Sequence, residues 1–486
     1  MKKFLVFLLI IVFVLGLSFA GSSCKTETTA ATTAAEATAA PATTAAAPAT
    51  TAAAAETTAA AAETTAAAAQ TSEVGEPSSP IVIKVWDWQA GTAAYDNALN
   101  EINGKYHELH PNVTIERTAY NLSEYSELIK TAVQSKTLPD LFGLYQGTME
   151  REVEKTGILH SFDNDLSADP TWKANLGKTL ELGGIRSADD KIVQIPYDIF
   201  YLAGLGYKNV LENMKSSEAE VQGLTSYKAL GDLCQKFKAA GNSTWYLEAG
   251  LAGAYILRER FYVFSYSVAK DAKIIYEAEN GKRSWTEEPF LKAAEAIKET
   301  SKMMREDTQA LDAQTDTYAL LKNQECWGGW YEGPWSAGIL LDNKTDIENA
   351  FYFYLPPVAD NALTKCWAAD AGQVLAMRED NPNKDQVIKY LKYLSTPEVS
   401  AIFIKNLIHP AGKFPDNWKD LVKVPIFVQG VEMYQESNIA PWICFTPDVE
   451  QALLTNISLI YTGELTPMEG LQKIDEATKA YWATQK

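Results

Sequence analysis

Apolar residues fall along the 486-residue chain in three regimes. Phe4 to Phe19 is an almost unbroken apolar run behind a basic Met1-Lys2-Lys3. That is the pattern of an export signal, too short to predict a lasting membrane span. From Lys25 to about Ser79 long apolar side chains disappear, and Ala and Thr repeat in AAETTAAAA-like units with scattered Glu and Pro. Nothing there offsets the entropy of ordering the chain, and β-branched Thr opposes the helical tendency of Ala. The segment is expected to be a semi-flexible tether spanning about 40 Å, from roughly 5–6 Å times the square root of its length.

Beyond Pro80 the pattern turns periodic. Ile81 to Trp86 predicts a buried strand and Val113 to Thr118 a second. Between them, Tyr95, Ala98, Leu99, Ile102, Tyr106 and Leu109 recur at helical spacing from Thr92 until Pro111 stops the run. Ser123 is expected to cap a helix burying Tyr125, Leu128, Ile129, Ala132 and Val133. Leu138 to Tyr145 carries a third strand and Lys191 to Pro196 a fourth, an alternation that predicts an α/β fold. The last third reads as helical. Asp385 to Leu394 is amphipathic, Thr396-Pro397 and Thr446-Pro447 each read as a cap with an N1 proline, and Thr466 to Glu469 is a capping box.

Charge excludes several functions. With 43 Lys+Arg against 62 Asp+Glu, a net charge of -19 leaves no cation surplus for nucleic acid or for an anionic membrane surface. Only 4 His are present, which argues against a multi-histidine metal site. His107-x-x-His110 lacks the HExxH pattern and reads as a solvated helix end. Asp163 to Asp169 echoes a calcium loop, but Ala168 stands where such a loop needs Gly and Ala174 where it needs Glu. No metal or cofactor is expected. GxSxG and P-loop patterns are absent, and neighbouring acids such as Glu287-Glu288 carry no spacing that marks a glycosidase pair. Four cysteines, Cys234, Cys326, Cys366 and Cys444, are compatible with two disulfides in any of three pairings or with buried thiols. Cys326 and Cys366 each precede a Trp, which hints at neighbouring strands.

The order of segments resembles a known family. Lys136-Thr137-Leu138-Pro139-Asp140, Gly157-Ile158-Leu159 with Phe162-Asp163, Lys191 to Pro196 with Gly206-Tyr207-Lys208-Asn209, Glu332-Gly333-Pro334-Trp335, Ala371-Gly372-Gln373 with Asn383-Lys384, and Thr466 to Glu469 are together similar to the extracellular solute-binding proteins of bacterial sugar importers, of the maltose-binding kind. The resemblance covers Pro80 to the C-terminus and implies a two-lobed periplasmic-binding-protein-like α/β fold, with a hinge of several crossings and a ligand cleft between the lobes. It places residues 80–197 and 372–420 in the first lobe, and 205–368 and 421–486 in the second. Leu224 to Leu230 departs from the family's pattern. Ala20-Gly21-Ser22-Ser23-Cys24 resembles a bacterial lipobox, in which Cys24 is lipidated as the mature N-terminus. Ser18-Phe19-Ala20 also suits an ordinary secretory cut.

A neutral sugar presents C–H patches to aromatic faces and hydroxyls to polar groups. The chain supplies 12 Trp, 23 Tyr and 17 Phe. Ligands of open α/β sheets sit at strand carboxyl ends, which points to Asp87 and Trp88 after the first strand, with Trp86 in the core, and to Tyr145 and Gln146 after the third. Trp327 to Trp335 is the densest aromatic run, and its glycines and Pro334 predict a turn carrying Trp330, Glu332 and Trp335. The resemblance implies that Trp335 stacks on sugar. Tyr197 and Asp198 at the first crossing, Asp370 and Gln373 at the second, and Trp442 complete the candidates. The expected protein is a monomeric, non-catalytic binder, lipid-anchored outside the cytoplasmic membrane, that hands a mono- or oligosaccharide to an ABC permease. A secreted glycosidase or lyase, or a sugar-sensing subunit for a membrane kinase, remain alternatives.

Overall fold

The computed structural model describes residues 75–145, 147–241, 247–248, 251, 254–311, 319–320, 323, 325–342, 347–441 and 446–484. All of them belong to the second of two compact units, which begins at residue 69.

Strand β1 (Ile81–Asp87) buries Ile83, Val85 and Asp87 on one face, the alternation a half-buried strand requires. Strands β2 (Val113–Ala119) and β3 (Leu141–Phe142) flank it in parallel, with Ile81 opposite Val113 and Val85 opposite Leu141. Parallel neighbours need a crossover. The Ala93–Leu109 helix supplies the first and buries Ala98, Leu99, Ile102 and Tyr106, while Leu109 is exposed at its end. The Leu122–Ser135 helix supplies the second. It starts before Ser123, because Asn121 is the last extended residue and takes the N-cap position.

β3 and β4 (Ile195–Pro196) are each two residues long, shorter than the apolar runs around them. Pro139 and Pro196 lack the N–H that a longer ladder needs. Phe142 bridges to Ala376, just past β10 (Val374–Leu375), which pairs antiparallel with β4. A late segment of the chain thus returns to the first sheet. It brings the Lys384–Leu394 helix with it, whose Tyr390 hydroxyl donates to Asn103 Oδ1 at 2.7 Å.

The larger sheet is built on β5 (Ile199–Tyr207), which the sequence pattern does not mark. Its order is β11 (Asn438–Pro441), β9 (Cys366–Ala371), β5, β7 (Gly328–Glu332) and β6 (Leu247–Glu248), with β8 (Ala350–Phe353) also on β5. The strands after Cys326 and Cys366 are therefore both partners of β5. Cys234, Cys326 and Cys366 are buried and no disulfide joins these three; Cys444 lies outside the described residues. The expected turn at Trp327 to Trp335 is instead β7, a corner at Gly333-Pro334 and the Trp335–Asp342 helix. Gly328 admits this because β5 passes so close that a Cβ would lie 2.7 Å from the Leu205 carbonyl.

The Tyr255–Ala269 helix packs on this sheet, and helices Glu288–Thr300, Pro447–Thr462 and Pro467–Thr484 pack with it and with one another. The Thr466 capping box forms as expected: Thr466 N donates to Glu469 at 2.9 Å and Glu469 N to Thr466 Oγ1 at 3.3 Å. Asp163–Ala168 folds as a short helix rather than a loop, and its Asp163 carboxylate accepts from Ser161 and the Ile192 N–H. His107 Nδ1 lies 2.8 Å from the Val113 carbonyl.

Just ahead of β1 the chain is held against the ends of the Ala93–Leu109 and Lys384–Leu394 helices. Gln386 donates to the Gly75 carbonyl at 2.9 Å, Asn112 to the Pro77 carbonyl at 3.0 Å, and Glu76 pairs with His110 and Lys389. Among the described residues no helix is long and apolar enough to cross a membrane.

Candidate functional site

Three segments run between the larger sheet and the rest of the fold, and they meet at Asp198. Tyr197-Asp198 leads from β4 into β5, Gly372-Gln373 from β9 into β10, and His409 to Ala411 passes beside both. Their backbones are tied together: Tyr197 N donates to Gln373 O at 3.0 Å, Gly372 N to Asp198 O at 3.0 Å, Ile199 N to His409 O at 2.8 Å and Ala411 N to Tyr197 O at 3.1 Å. The Asp198 carboxylate, 3% exposed, accepts from the Gln373 N–H and from the Tyr95 hydroxyl. Gly372 has to be glycine here, since a Cβ would lie 2.5 Å from Asp198 Oδ1. Burial pushes the Asp198 carboxyl up to about 6, against the two hydrogen bonds, which pull it down. Tyr197 is buried and stacked on Phe403, and the Gln373 Oε1 is buried without a partner. His409 is buried between Tyr201 and Tyr434, and burial lowers its imidazole to about 3, so it stays neutral.

At the carboxyl end of β1, Asp87 points into the first lobe. Arg117 holds it with Nε and with Nη2 at 3.0 Å, and Gln89 N donates to it at 2.9 Å. Arg117 also reaches Asp96 at 2.6 Å. Burial works against the guanidinium's charge, and the bonds to Asp87 and Asp96 outweigh it, raising its pKa further. The two tryptophans exchange the places expected of them: Trp86 is half-buried and Trp88 is 7% exposed. The strand ends at Asp87, so alternation no longer governs Trp88, which turns back over Gly143 and Tyr125. Tyr145 stands edge-on to Trp88, with ring centroids 5.7 Å apart and planes at 81°, and is 41% exposed.

In the second lobe Trp330 is fully buried, with the Arg260 guanidinium 4.7 Å above its ring. Trp335 is half-buried, its indole lying against Gly333 and its Nε1 enclosed without a partner. Asp370 on β9 is fully buried and accepts from Gly184 N at 3.0 and 2.9 Å and from Ala371 N at 2.7 Å. Gln146, Trp442 and the Glu332 side chain lie outside the described residues.

The structure thus gathers Tyr197, Asp198, Gln373 and His409 at the hinge, and Asp87, Trp88 and Tyr145 at one strand end. Two residues not proposed as site residues from the sequence complete these groups, Tyr95 at the hinge and Arg117 at the strand end. Arg117 carries a readable signal, because Val113, Ile115 and Arg117 share one face of β2 and a charge at that parity needs a buried partner. No group of three metal-ligating side chains exists among the described residues.

The family model of the bacterial extracellular solute-binding proteins matches residues 86–401. No curated protein matches in sequence. Among solved structures, the chain is similar to a probable secreted solute-binding lipoprotein from Streptomyces coelicolor, with 14% identity, 82% of this chain and 99% of that one covered, and a TM-score of 0.66. The GacH receptor of Streptomyces glaucescens, solved unliganded and with acarbose, gives 17%, 82%, 97% and 0.60. A cyclic α-maltosyl-1,6-maltose binding protein from Arthrobacter globiformis gives 16%, 82%, 98% and 0.63. With a family match across most of its length and two sheets joined by a multi-segment hinge, the chain belongs to the bacterial extracellular solute-binding proteins.

Proposed function

We propose that this protein captures a saccharide between its lobes and delivers it to an ABC-type permease. The observation that carries the saccharide reading is Tyr145: a large aromatic face, exposed at a strand carboxyl end and braced edge-on by Trp88, is a ready surface for the C–H side of a sugar. Trp335 offers a second partly exposed ring on the other lobe. The names of the similar structures, with acarbose and a cyclic maltosyl sugar among their ligands, support the same class. Asp87, Asp198 and Asp370 have their oxygens engaged by internal donors, which favours binding over acid–base catalysis. We assign residues 80–197 and 372–420 to the first lobe, 205–368 and 421–486 to the second, and treat the protein as a monomer anchored through a lipidated Cys24 on the outer face of the membrane.

A thermal-shift screen over a glycan panel tests the ligand class. Saturation at about 100 times Kd adds roughly 2.7 kcal/mol. Stabilisation by a saccharide supports the proposal, whereas shifts only with peptides, polyamines or metals refute it. Turnover of an oligosaccharide would favour an enzyme. Mass spectrometry of membrane-extracted protein should show a diacylglyceryl group on Cys24; a mature chain beginning at Gly21 would remove the anchor.

A further inference from the structure

Asp370 is a buried acid that forms no ion pair among the described residues, where its hydrogen-bond donors are the backbone N–H groups of Gly184 and Ala371. Gly184 belongs to the first lobe by its bonds: its carbonyl accepts from Gln194 Nε2 at 3.0 Å, and the following Ile185 carbonyl accepts from Val193 N at 3.0 Å, next to β4. Asp370 belongs to the second lobe through β9. The Gly184–Asp370 contact therefore joins the lobes beyond the three hinge segments.

More acid lies around it. Glu150, fully buried on the Thr148–Glu154 helix, accepts from the same Gln194 amide at 3.2 Å. Glu259, fully buried on the Tyr255–Ala269 helix that packs on β9, adds its charge to the surroundings of Asp370, with Arg258 engaged by Glu259 and Glu450. The packed elements also carry Arg260, Tyr262 and Tyr266 on the same helix, Tyr201 on β5, and Tyr434, Glu181 and Lys178, whose amino group donates to the Ser437 carbonyl at 2.9 Å. A carboxylate enclosed without an ion pair, with two others adding their charge, is held as an ion only at a large cost in free energy.

We propose that the Gly184–Asp370 contact is a latch between the lobes that engages while the Asp370 carboxyl carries a proton and loosens when it ionises. Burial, with Glu150 and Glu259 adding to it, raises the carboxyl well above the ordinary aspartate range despite its backbone bonds. Once the lobes part and water reaches the group, it returns towards about 3.9 and ionises. Above about 3.9, until the raised titration of the latched state is reached, each pH unit disfavours the latched state by about tenfold. The latch rests on the two-lobed fold and not on the identity of the solute.

Hydrogen exchange of the full chain without ligand tests it, read on peptides covering Gly184 and Ala371 and corrected for intrinsic exchange rates. Protection should fall about tenfold per pH unit over part of the range from pH 5 to 8. Asp370→Asn places a neutral group there and keeps an acceptor for both N–H groups, so its protection should fall less steeply with pH than the native chain's. Glu150→Gln, a second variant in case the first does not fold, should match the native chain at pH 5 and stay more protected at pH 8. Flat native protection across the range, or an unchanged slope in the variants, would overturn the latch. Because no sugar is present, a glycan screen without hits leaves the result intact.

Discussion

Replacing Asp198 with Asn tests the hinge directly. In the native chain the carboxyl titrates near 6 instead of near 3.8, a rise of about 2 units. At about 1.4 kcal/mol per unit, this corresponds to about 3 kcal/mol. The sign follows from proton binding. Between the two values the Asp198 carboxyl holds its proton in the folded chain more than in the unfolded one, so its contribution to stability is full below about pH 4 and is lost as pH rises through 6. Asn removes the charge and keeps an acceptor for the Gln373 N–H. The stability difference between Asp198→Asn and the native chain, measured by urea unfolding from pH 4 to 8, should therefore move in favour of Asn by about 3 kcal/mol. Taking the difference cancels other raised acids such as Glu259, which burial lifts to about 7. Asp198→Ala should behave differently, since it strands the Gln373 N–H and the Tyr95 hydroxyl at about 1–3 kcal/mol each. A difference curve that stays flat across this range would refute the account of Asp198 as a buried, uncompensated acid.

Trp330→Ala should destabilise the unliganded protein by about 3–5 kcal/mol in urea, because the ring is fully buried under Arg260. Tyr145→Ala and Trp335→Ala should each abolish most saccharide-induced stabilisation while shifting the unliganded melting temperature little; a large unliganded drop with the ligand increment preserved would make those rings structural. Cys366, whose thiol burial pushes up to about 12, should react with a disulfide reagent only on unfolding, and rapid native labelling at pH 8 would contradict its placement.

Much of the fold is legible because it follows local rules. Ala98, Leu99, Ile102 and Tyr106 lie on one helical stripe, and Thr466 with Glu469 makes a capping box wherever the chain goes next. β5 escapes such reading because IFYLAGLGY is buried on both faces and has no alternation to detect. The site is harder still. A crossing tells that Asp198 and Asp370 sit between lobes, but chain position does not say what their carboxyl groups face. Asp198 turns to Tyr95, 103 residues earlier, and Asp370 to Gly184, 186 residues away. Only Asp87 and Arg117 disclose themselves, through strand parity, and only as partners for each other.

The fastening of Gly75 to Pro77 decides where mechanical load enters the molecule. A pull on the chain ahead of Gly75 meets Glu76 held by His110 and Lys389, and Pro77 held by Asn112, before it reaches β1. The force is taken up by the Ala93–Leu109 and Lys384–Leu394 helices and their flanks, all on the first lobe. The larger sheet bears it through the hinge segments, the Gly184–Asp370 contact and the Lys178 bond to the Ser437 carbonyl. Strain applied ahead of Gly75 is thus spent on the three-stranded sheet and its helices before it reaches the larger sheet.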